Sequence, residues 1–533
     1  MPSHLLVGGV IHSPNDPFAS AMLVVDGDIA WIGDEAGADL YRGEADGVVD
    51  LRGALVTPAF VDAHVHATAT GLMLTGLDLT GCSSLAEMLE RLGRHAAGDG
   101  ILLGHGWDET DWPERRPPGS SDIDRVVGDR PCYLSRVDVH SAVVSTALRR
   151  QHPDLVDVPG YDADGPLSSA AHHRVRDAAL AQVSASQRDM AQRATLRRAV
   201  ELGIASVHEM GGPTISSPAD LQALLAMSTE PGMPEVVGYW GELHGHDHAR
   251  ELGARGAAGD LFVDGSLGSR TACLRQPYAD APDSTGRAYL DVDEVALHVA
   301  EAARRGTQAG FHVIGDGGHD IILTGYAQAV AEVGADAIIR TRHRLEHVEM
   351  PDAAQIRAMA DWGMVASVQS AFDAEWGGES GMYVARLGRD RAAELNPFSA
   401  LVTSGVTLAL GSDSPVTPLD PWGSVRAAAF HRTPVHRVSV RAAFAAHTRG
   451  GRRAAGDEGR EPGVLAVGAP ATYAVWQPTD LVVHAPDERV AAWSTDPRSG
   501  TPGLPDISPG RDLPTCWRTV RAGDVLFDAG AWE

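Results

Sequence analysis

The run Phe60-Val61-Asp62-Ala63-His64-Val65-His66 closes an apolar stretch with two imidazoles one residue apart. Residues i and i+2 of a β-strand project to the same side, about 7 Å apart, so two such rings can converge on one cation. The preceding stretch, 54–61, has the composition of such a strand. Two histidines in a polar loop would share this local pattern, so the pair needs independent company. Three later apolar runs supply it, each ending in a histidine or carboxylate beside small residues. They are Gly310-Phe311-His312-Val313-Ile314-Gly315-Asp316, Arg344-Leu345-Glu346-His347-Val348-Glu349 and Thr407-Leu408-Ala409-Leu410-Gly411-Ser412-Asp413-Ser414. Any one of them is an ordinary strand end. The ordered set His64, His66, His312, His347 and Asp413, each on a β-run, is a donor set for a divalent metal.

Neutral imidazoles and one carboxylate with an open position suit zinc, whose bound water reaches a pKa near about 7 and becomes hydroxide. Asp413 is the candidate to take the proton of that water and pass it to a leaving group. His347, if not fully engaged by the metal, could polarise a scissile carbonyl. This chemistry amounts to hydrolysis of a C–N or C–O bond at a carbonyl-like carbon.

The elements that must position these residues follow a regular alternation from residue 187 onward. Strand-like runs at 204–210, 235–240, 260–264, 310–314, 344–348, 365–369 and 406–411 join the one before His64 to make eight. Helical spacing marks 186–202, 293–305, 320–333, 353–362 and 397–404. Eight strands with intervening helices is the count of a TIM barrel, whose active site lies at the C-terminal ends of its strands. All five candidate ligands fall at that end.

The termini read differently. Short strands at 5–11, 21–25, 29–32 and 48–51, with an Asp-Gly turn at 26–27, mirror strands at 472–476, 481–483 and 518–527. The expectation is a small β-sandwich built from 1–54 and 460–533 around a metal-hydrolase domain at 55–459, with an insertion at about 68–186 after the first barrel strand. Within that insertion, the Trp- and Pro-dense stretch 107–119 is expected to wall the active-site mouth.

Composition narrows the classes. The 533 residues exceed one ordinary domain. A formal charge of -27 argues against nucleic acid and anionic membrane as partners. Cys82, Cys132, Cys273 and Cys516 lie far apart without a CxxC pair, which fits reduced thiols. No basic leader or membrane-length apolar run is present, so a cytoplasmic protein acting on a small molecule, with a homodimer allowed, is expected. The sequence contains no lysine, so all 44 basic residues are arginine.

The chain resembles the amidohydrolase superfamily, in the amidohydrolase family 3 or YtcJ-like branch of metal-dependent hydrolases. The resemblance rests on the ligand order and on Phe262-Val263-Asp264-Gly265-Ser266-Leu267-Gly268-Ser269-Arg270-Thr271-Ala272, and less specifically on Gly104-His105-Gly106-Trp107-Asp108, Asp138-Val139-His140-Ser141 and Ser206-Val207-His208-Glu209-Met210. It implies a distorted TIM (β/α)8 barrel with the composite β-sandwich, and an enzyme cleaving amide-like, non-peptide C–N bonds. Deamination of a heterocycle shares the ligand set, and a catalytically silent small-molecule binder is the alternative outside enzymology.

Four further residues carry two readings each. His140 is a substrate contact or part of a helix cap over 142–149. Glu209 is a substrate or metal contact, or a partner orienting a ligand imidazole. Arg270 grips an anionic substrate group or serves as a capping or ion-pairing arginine, and Trp240 lines the pocket or closes its strand. The run 242–248, rich in histidine, reads as solvated loop, and Asp316 as a turn residue.

Two positions depart from the family, Ala59, where a glycine is usual, and a second that bears on the metal. Relatives carry a lysine four residues before the Asp of Asp264-Gly265, which becomes carboxylated and bridges two metals, whereas this chain has Asp260. An aspartate is shorter by roughly 5 Å. The expectation is therefore one tightly held ion, most naturally Zn2+, with Asp260 a supporting carboxylate away from the metal.

Overall fold

The computed structural model describes residues 3–98, 100–136, 141–457, 459, 462–484, 493–494 and 502–531. They form two compact units, Met1–His66 with Leu196–Glu533, and Ala67–Thr195.

In the larger unit the HxH pair ends strand β1, Phe60–Val65, all of it buried. Strands β2 (Ile204–Gly211) and β3 (Glu235–Trp240) follow it in parallel order, with Val207 opposite Asp62 and Val236. A second parallel group comprises β4 (Gly256–Ala257), β5 (Gln308–Val313), β6 (Arg344–His347), β7 (Val365–Val368) and β8 (Thr407–Leu410). The Arg255 N–H donates to the Gly238 carbonyl at 2.7 Å between the two groups. Beyond β8, Asp413 N–H donates to His64 O at 2.8 Å and His66 N–H to Ser414 O at 2.9 Å, returning the chain to β1. Burial on both faces is why these strands are continuous apolar runs rather than alternating ones.

Two strand expectations shift. The stretch 54–61 is not one strand: Leu55–Pro58 pairs with the terminal sheet, and β1 begins at Phe60. The fourth strand is not 260–264 but β4 at Gly256–Ala257, after which pairing lapses until Phe262 bridges His312.

Helices between the strands start where side chains can cap them. Asp291 accepts from the N–H groups of Asp293 and Glu294 to open Val292–Arg305, and Asp352 does the same for Ala353–Asp361. Gly306 ends the first of these in the left-handed region, at φ 66°.

Both chain ends meet in one sheet, ordered Val10–Ile11, Leu55–Pro58, Tyr473–Trp476, Cys516–Arg521 and Asp524–Asp528. A four-stranded sheet from residues 3–50 shares its core, in which Leu6, Met22 and Leu51 meet Tyr473, Val475 and Val520.

The smaller unit has its own five-stranded sheet, from Leu77–Asp78 through Leu102–Trp107, Cys132–Arg136 and Ser141–Val144 to Leu167–Ser168. Trp107 and Trp112, expected to wall a pocket, are instead buried in this unit's core, their ring N–H groups donating to the carbonyls of Leu134 and Cys82 at 2.8 Å. Residues 141–144 form a strand where a helix was expected, and the helix is Thr146–Gln151, capped by Ser145. His140 itself lies outside the described residues.

Among the histidines of the larger unit held neutral by burial are His298, His319 and His343. Burial pushes His298 and His343 down to about 3 and His319 to about 4. Their folded pKa values lie below the unfolded value, so the unfolded chain takes up protons first as pH falls below about 6.5. Each ring then removes up to about 1.4 kcal/mol of stability per pH unit until its folded pKa is reached. Unfolding free energy measured by urea titration between pH 6.5 and 4.5 should fall accordingly, and His343→Asn should make the slope shallower. An unchanged slope in that variant would refute the assignment.

Candidate metal centre

β1 delivers His64 and His66 to one side, as a two-residue period requires, with their ring centroids 5.3 Å apart. Asp413 and His347 reach the same place through backbone held at φ 54° and 71°, left-handed values that are costly for residues with a Cβ. Such strain persists where the surrounding structure overrides it, and here two ligands are aimed by it.

The donor atoms converge tightly. Asp413 Oδ1 lies 3.4 Å from His64 Nε2 and 3.1 Å from His66 Nε2. Asp260 Oδ2 lies 3.5 Å and 3.2 Å from the same two atoms. Asp260 Oδ1 lies 3.6 Å from His312 Nδ1 and 3.5 Å from His347 Nε2. Ligands about 2.0–2.1 Å from one tetrahedral ion stand roughly 3.3 Å from each other, the edge of that tetrahedron. Most of these separations exceed good hydrogen-bond length and match that edge. The buried atoms His64 Nε2, His312 Nδ1, His347 Nε2, Asp260 Oδ1 and Asp413 Oδ1 have no hydrogen-bond partner, although buried polar atoms nearly always find one. Metal coordination would take up these lone pairs, so the residues fit a divalent metal site.

Electrostatics agree. Burial alone would depress the His66 ring, yet its contacts with Asp260 and Asp413 raise it to about 10. His64 is driven up in the same way by those two carboxylates against its burial. Burial would raise Asp413 and Asp260, and the neighbouring imidazoles pull both well down instead. The pocket thus demands positive charge, which a metal ion supplies with neutral ring nitrogens.

Each of the four imidazoles is oriented through its other nitrogen. His64 Nδ1 meets Glu346 Oε2 at 3.0 Å, His66 Nδ1 the Met210 carbonyl at 3.2 Å, His347 Nδ1 Gln369 Oε1 at 2.8 Å, and His312 Nε2 the Gly265 carbonyl at 3.3 Å. Such partners set the tautomer and the ring direction. Glu346 is itself clamped by Arg344, whose Nε donates at 2.5 Å, while Arg344 also donates to the Ala63 carbonyl and packs over the Tyr239 ring at 4.4 Å. Burial would raise Glu346, but Arg344 prevails and holds it at about 2, keeping an anion opposite His64. Asp62 accepts from the N–H groups of His64 and Ser412, tying β1 to the loop that bears Asp413.

Sequence reasoning missed Glu346, Arg344 and Asp62. A signal was present: two opposite charges two residues apart in an apolar strand must pair with each other, because neither can be buried alone.

The remaining candidates have the following surroundings. Asp260 was expected away from the metal and sits among the donor atoms instead. Trp240 is buried against Leu221, Ala249 and Leu252, its N–H donating to Glu242. Arg270 is engaged by both carboxylate oxygens of Asp280, at 3.0 and 2.8 Å, which is the ion-pairing reading. Glu209 is buried in β2 and is not among the described groups whose donor atoms converge. The histidine-rich loop is the start of a helix, His246–Leu252, with His246 buried and stacked on His298. Asp316 begins the helix Asp316–Val333 and accepts from the Arg275 N–H.

Glu346→Gln should weaken metal affinity about ten- to a hundredfold, the usual effect of removing an orienting carboxylate. Competition with a chromophoric chelator measures this, and an unchanged affinity would mean that packing alone orients His64.

Known proteins bear on this centre. The chain matches the model of an amidohydrolase family over residues 47–527. It is 28% identical to the Arabidopsis thaliana protein LONG AFTER FAR-RED 3 over 494 residues, covering 85% of this chain and 83% of that one. It is 25% identical to the N-substituted formamide deformylase of Arthrobacter pascens, covering 76% and 78%. The crystal structure of an uncharacterized metal-dependent hydrolase from Pyrococcus furiosus superposes with a TM-score of 0.74 at 28% identity, covering 89% of this chain and 98% of that one. The fold is a mixed α/β architecture resembling amidohydrolase structures, and the chain belongs to amidohydrolase family 3.

Proposed function

We propose that the protein hydrolyses an amide-like, non-peptide C–N bond of a small molecule, using a divalent ion, most naturally zinc, at the buried histidine and aspartate cluster. The observation that carries this reading is the convergence of four imidazoles and two carboxylates, among which the buried atoms His64 Nε2, His312 Nδ1, His347 Nε2, Asp260 Oδ1 and Asp413 Oδ1 lack hydrogen-bond partners. The parallel strands are read as a (β/α)8 barrel with the site at its C-terminal strand ends, beside a β-sandwich made by the chain termini.

His64, His66, His312, His347, Asp260 and Asp413 would hold the metal. Bound there, a divalent ion supplies an acidified water and polarises the substrate carbonyl. Asp413 then takes the water proton on a carboxylate oxygen and returns it to the departing nitrogen, without moving its strained backbone. Glu346 keeps the His64 ring in one tautomer throughout. The Nδ1 of His347 is occupied by Gln369 and its Nε2 faces Asp260, so His347 acts as ligand rather than as polariser of the carbonyl.

The formamide deformylase among the relatives makes N-substituted formamides the first class to try. Heterocycle deamination remains the second reaction of the same ligand set. A silent binder has less support, since the carboxylate that the absent lysine would have carried is supplied by Asp260.

A panel of N-formyl, N-acyl and amino-heterocyclic compounds, assayed with zinc-loaded protein, should show turnover that a chelator abolishes. Turnover that survives full metal removal would sink the proposal. Asp413→Asn should retain much of its metal and lose about a hundredfold or more in kcat, because an amide can coordinate but cannot accept the proton. His64→Ala and His66→Ala should each lose metal and turnover while circular dichroism shows a folded chain. Metal retained in both would remove the HxH pair from the site.

A further inference from the structure

We propose that Asp260 bridges two divalent ions, so that the centre is binuclear without a carboxylated lysine. This rests on the metal-hydrolase reading above and concerns how many ions the site takes and what joins them.

Each oxygen of the Asp260 carboxylate faces a different group of donors. Oδ2 lies beside His64 Nε2 and His66 Nε2, which also meet Asp413 Oδ1. Oδ1 lies beside His312 Nδ1 and His347 Nε2. One ion would take two imidazoles and two carboxylate oxygens, a filled tetrahedron. The other would take two imidazoles and the second Asp260 oxygen, three protein ligands with a position left for water. Ions joined by one carboxylate stand about 3.5–4 Å apart, and the shared negative charge offsets their repulsion.

The backbone explains how so short a side chain reaches. Ala257 pairs with Ala309, and the next pairing along this edge is Phe262 with His312. Five steps along the first segment (262 − 257) oppose three along β5 (312 − 309), so two extra residues bulge out of the ladder. Bulges re-aim side chains in this way. Gly259 sits inside the bulge at φ 88°, where a Cβ would lie 2.7 Å from Met210 Sδ, and the Leu261 N–H folds back to the Gly259 carbonyl at 2.8 Å. The chain at Asp260 is thereby carried toward the four imidazoles, and displacement of the backbone replaces length of the side chain.

The test is metal stoichiometry. Chelator-stripped protein is reloaded with Zn2+ or Co2+ in buffer freed of carbon dioxide, desalted, and analysed by mass spectrometry for bound metal. Wild-type should hold two equivalents without added bicarbonate. Asp260→Asn, which offers one ligating oxygen instead of two, should hold one. In the cobalt protein the second equivalent should diminish the electron paramagnetic resonance signal per ion through exchange coupling, whereas Asp260→Asn, with its single ion, should keep the full signal per ion. Because the wild-type measurement stands alone, misfolding of the variant cannot shelter the proposal. A single equivalent in wild-type would overturn it, as would a second equivalent that appears only with bicarbonate. Two equivalents in folded Asp260→Asn, lost on adding Glu209→Ala, would move the bridge to Glu209 and equally overturn it. Two ions bound with no turnover of any amide would defeat the proposed reaction and leave the bridge standing.

Discussion

Two carboxylates, Asp260 and Asp413, are buried within a few ångströms of four imidazoles, and this concentration of charge is the constraint on which the rest depends. Burying an ion without a partner costs several kcal/mol, and two like charges side by side cost more. The cluster is tolerable only if positive charge sits among the carboxylates, and the depressed carboxylates and elevated His64 and His66 express that demand. A divalent ion meets it without consuming protons.

Around that cluster the chain maintains a rigid frame. Arg344, fully buried, holds Glu346, which holds His64, and the same guanidinium ties down the carbonyl beside His64. Arginine suits this place because its planar fork reaches several acceptors at once. Asp62 and Asp264 do comparable work with backbone amides, the first joining β1 to the Asp413 loop, the second accepting from Cys273, Ile314 and Gly315 near His312. Left-handed backbone at His347, Val348 and Asp413 stores strain where the ligands are aimed, and the hydrogen bonds just named resist its release.

Length and backbone path trade against each other at Asp260. Side-chain length alone implied that an aspartate could not reach the metal. The bulge between Ala257 and Phe262, opened by Gly259, moves the main chain instead. Reach is therefore a property of the strand pair, β4 segment and β5 together, rather than of residue 260.

What the sequence determined by itself was whatever depends on local periodicity. The i, i+2 spacing of His64 and His66, the apolar parallel strands, the capped helices and the strand-end positions of His312, His347 and Asp413 are all written within a few residues, because strand and helix geometry repeat at fixed intervals. Tertiary structure decided everything that hangs on a distant partner. Arg270 could not be assigned until Asp280 lay opposite it, Trp240 until its hydrophobic neighbours closed over it, and Asp260 until β5 fixed the bulge. Pairing across the chain is set by three-dimensional packing, and no one-dimensional spacing encodes which carboxylate, carbonyl or apolar surface a given side chain will meet.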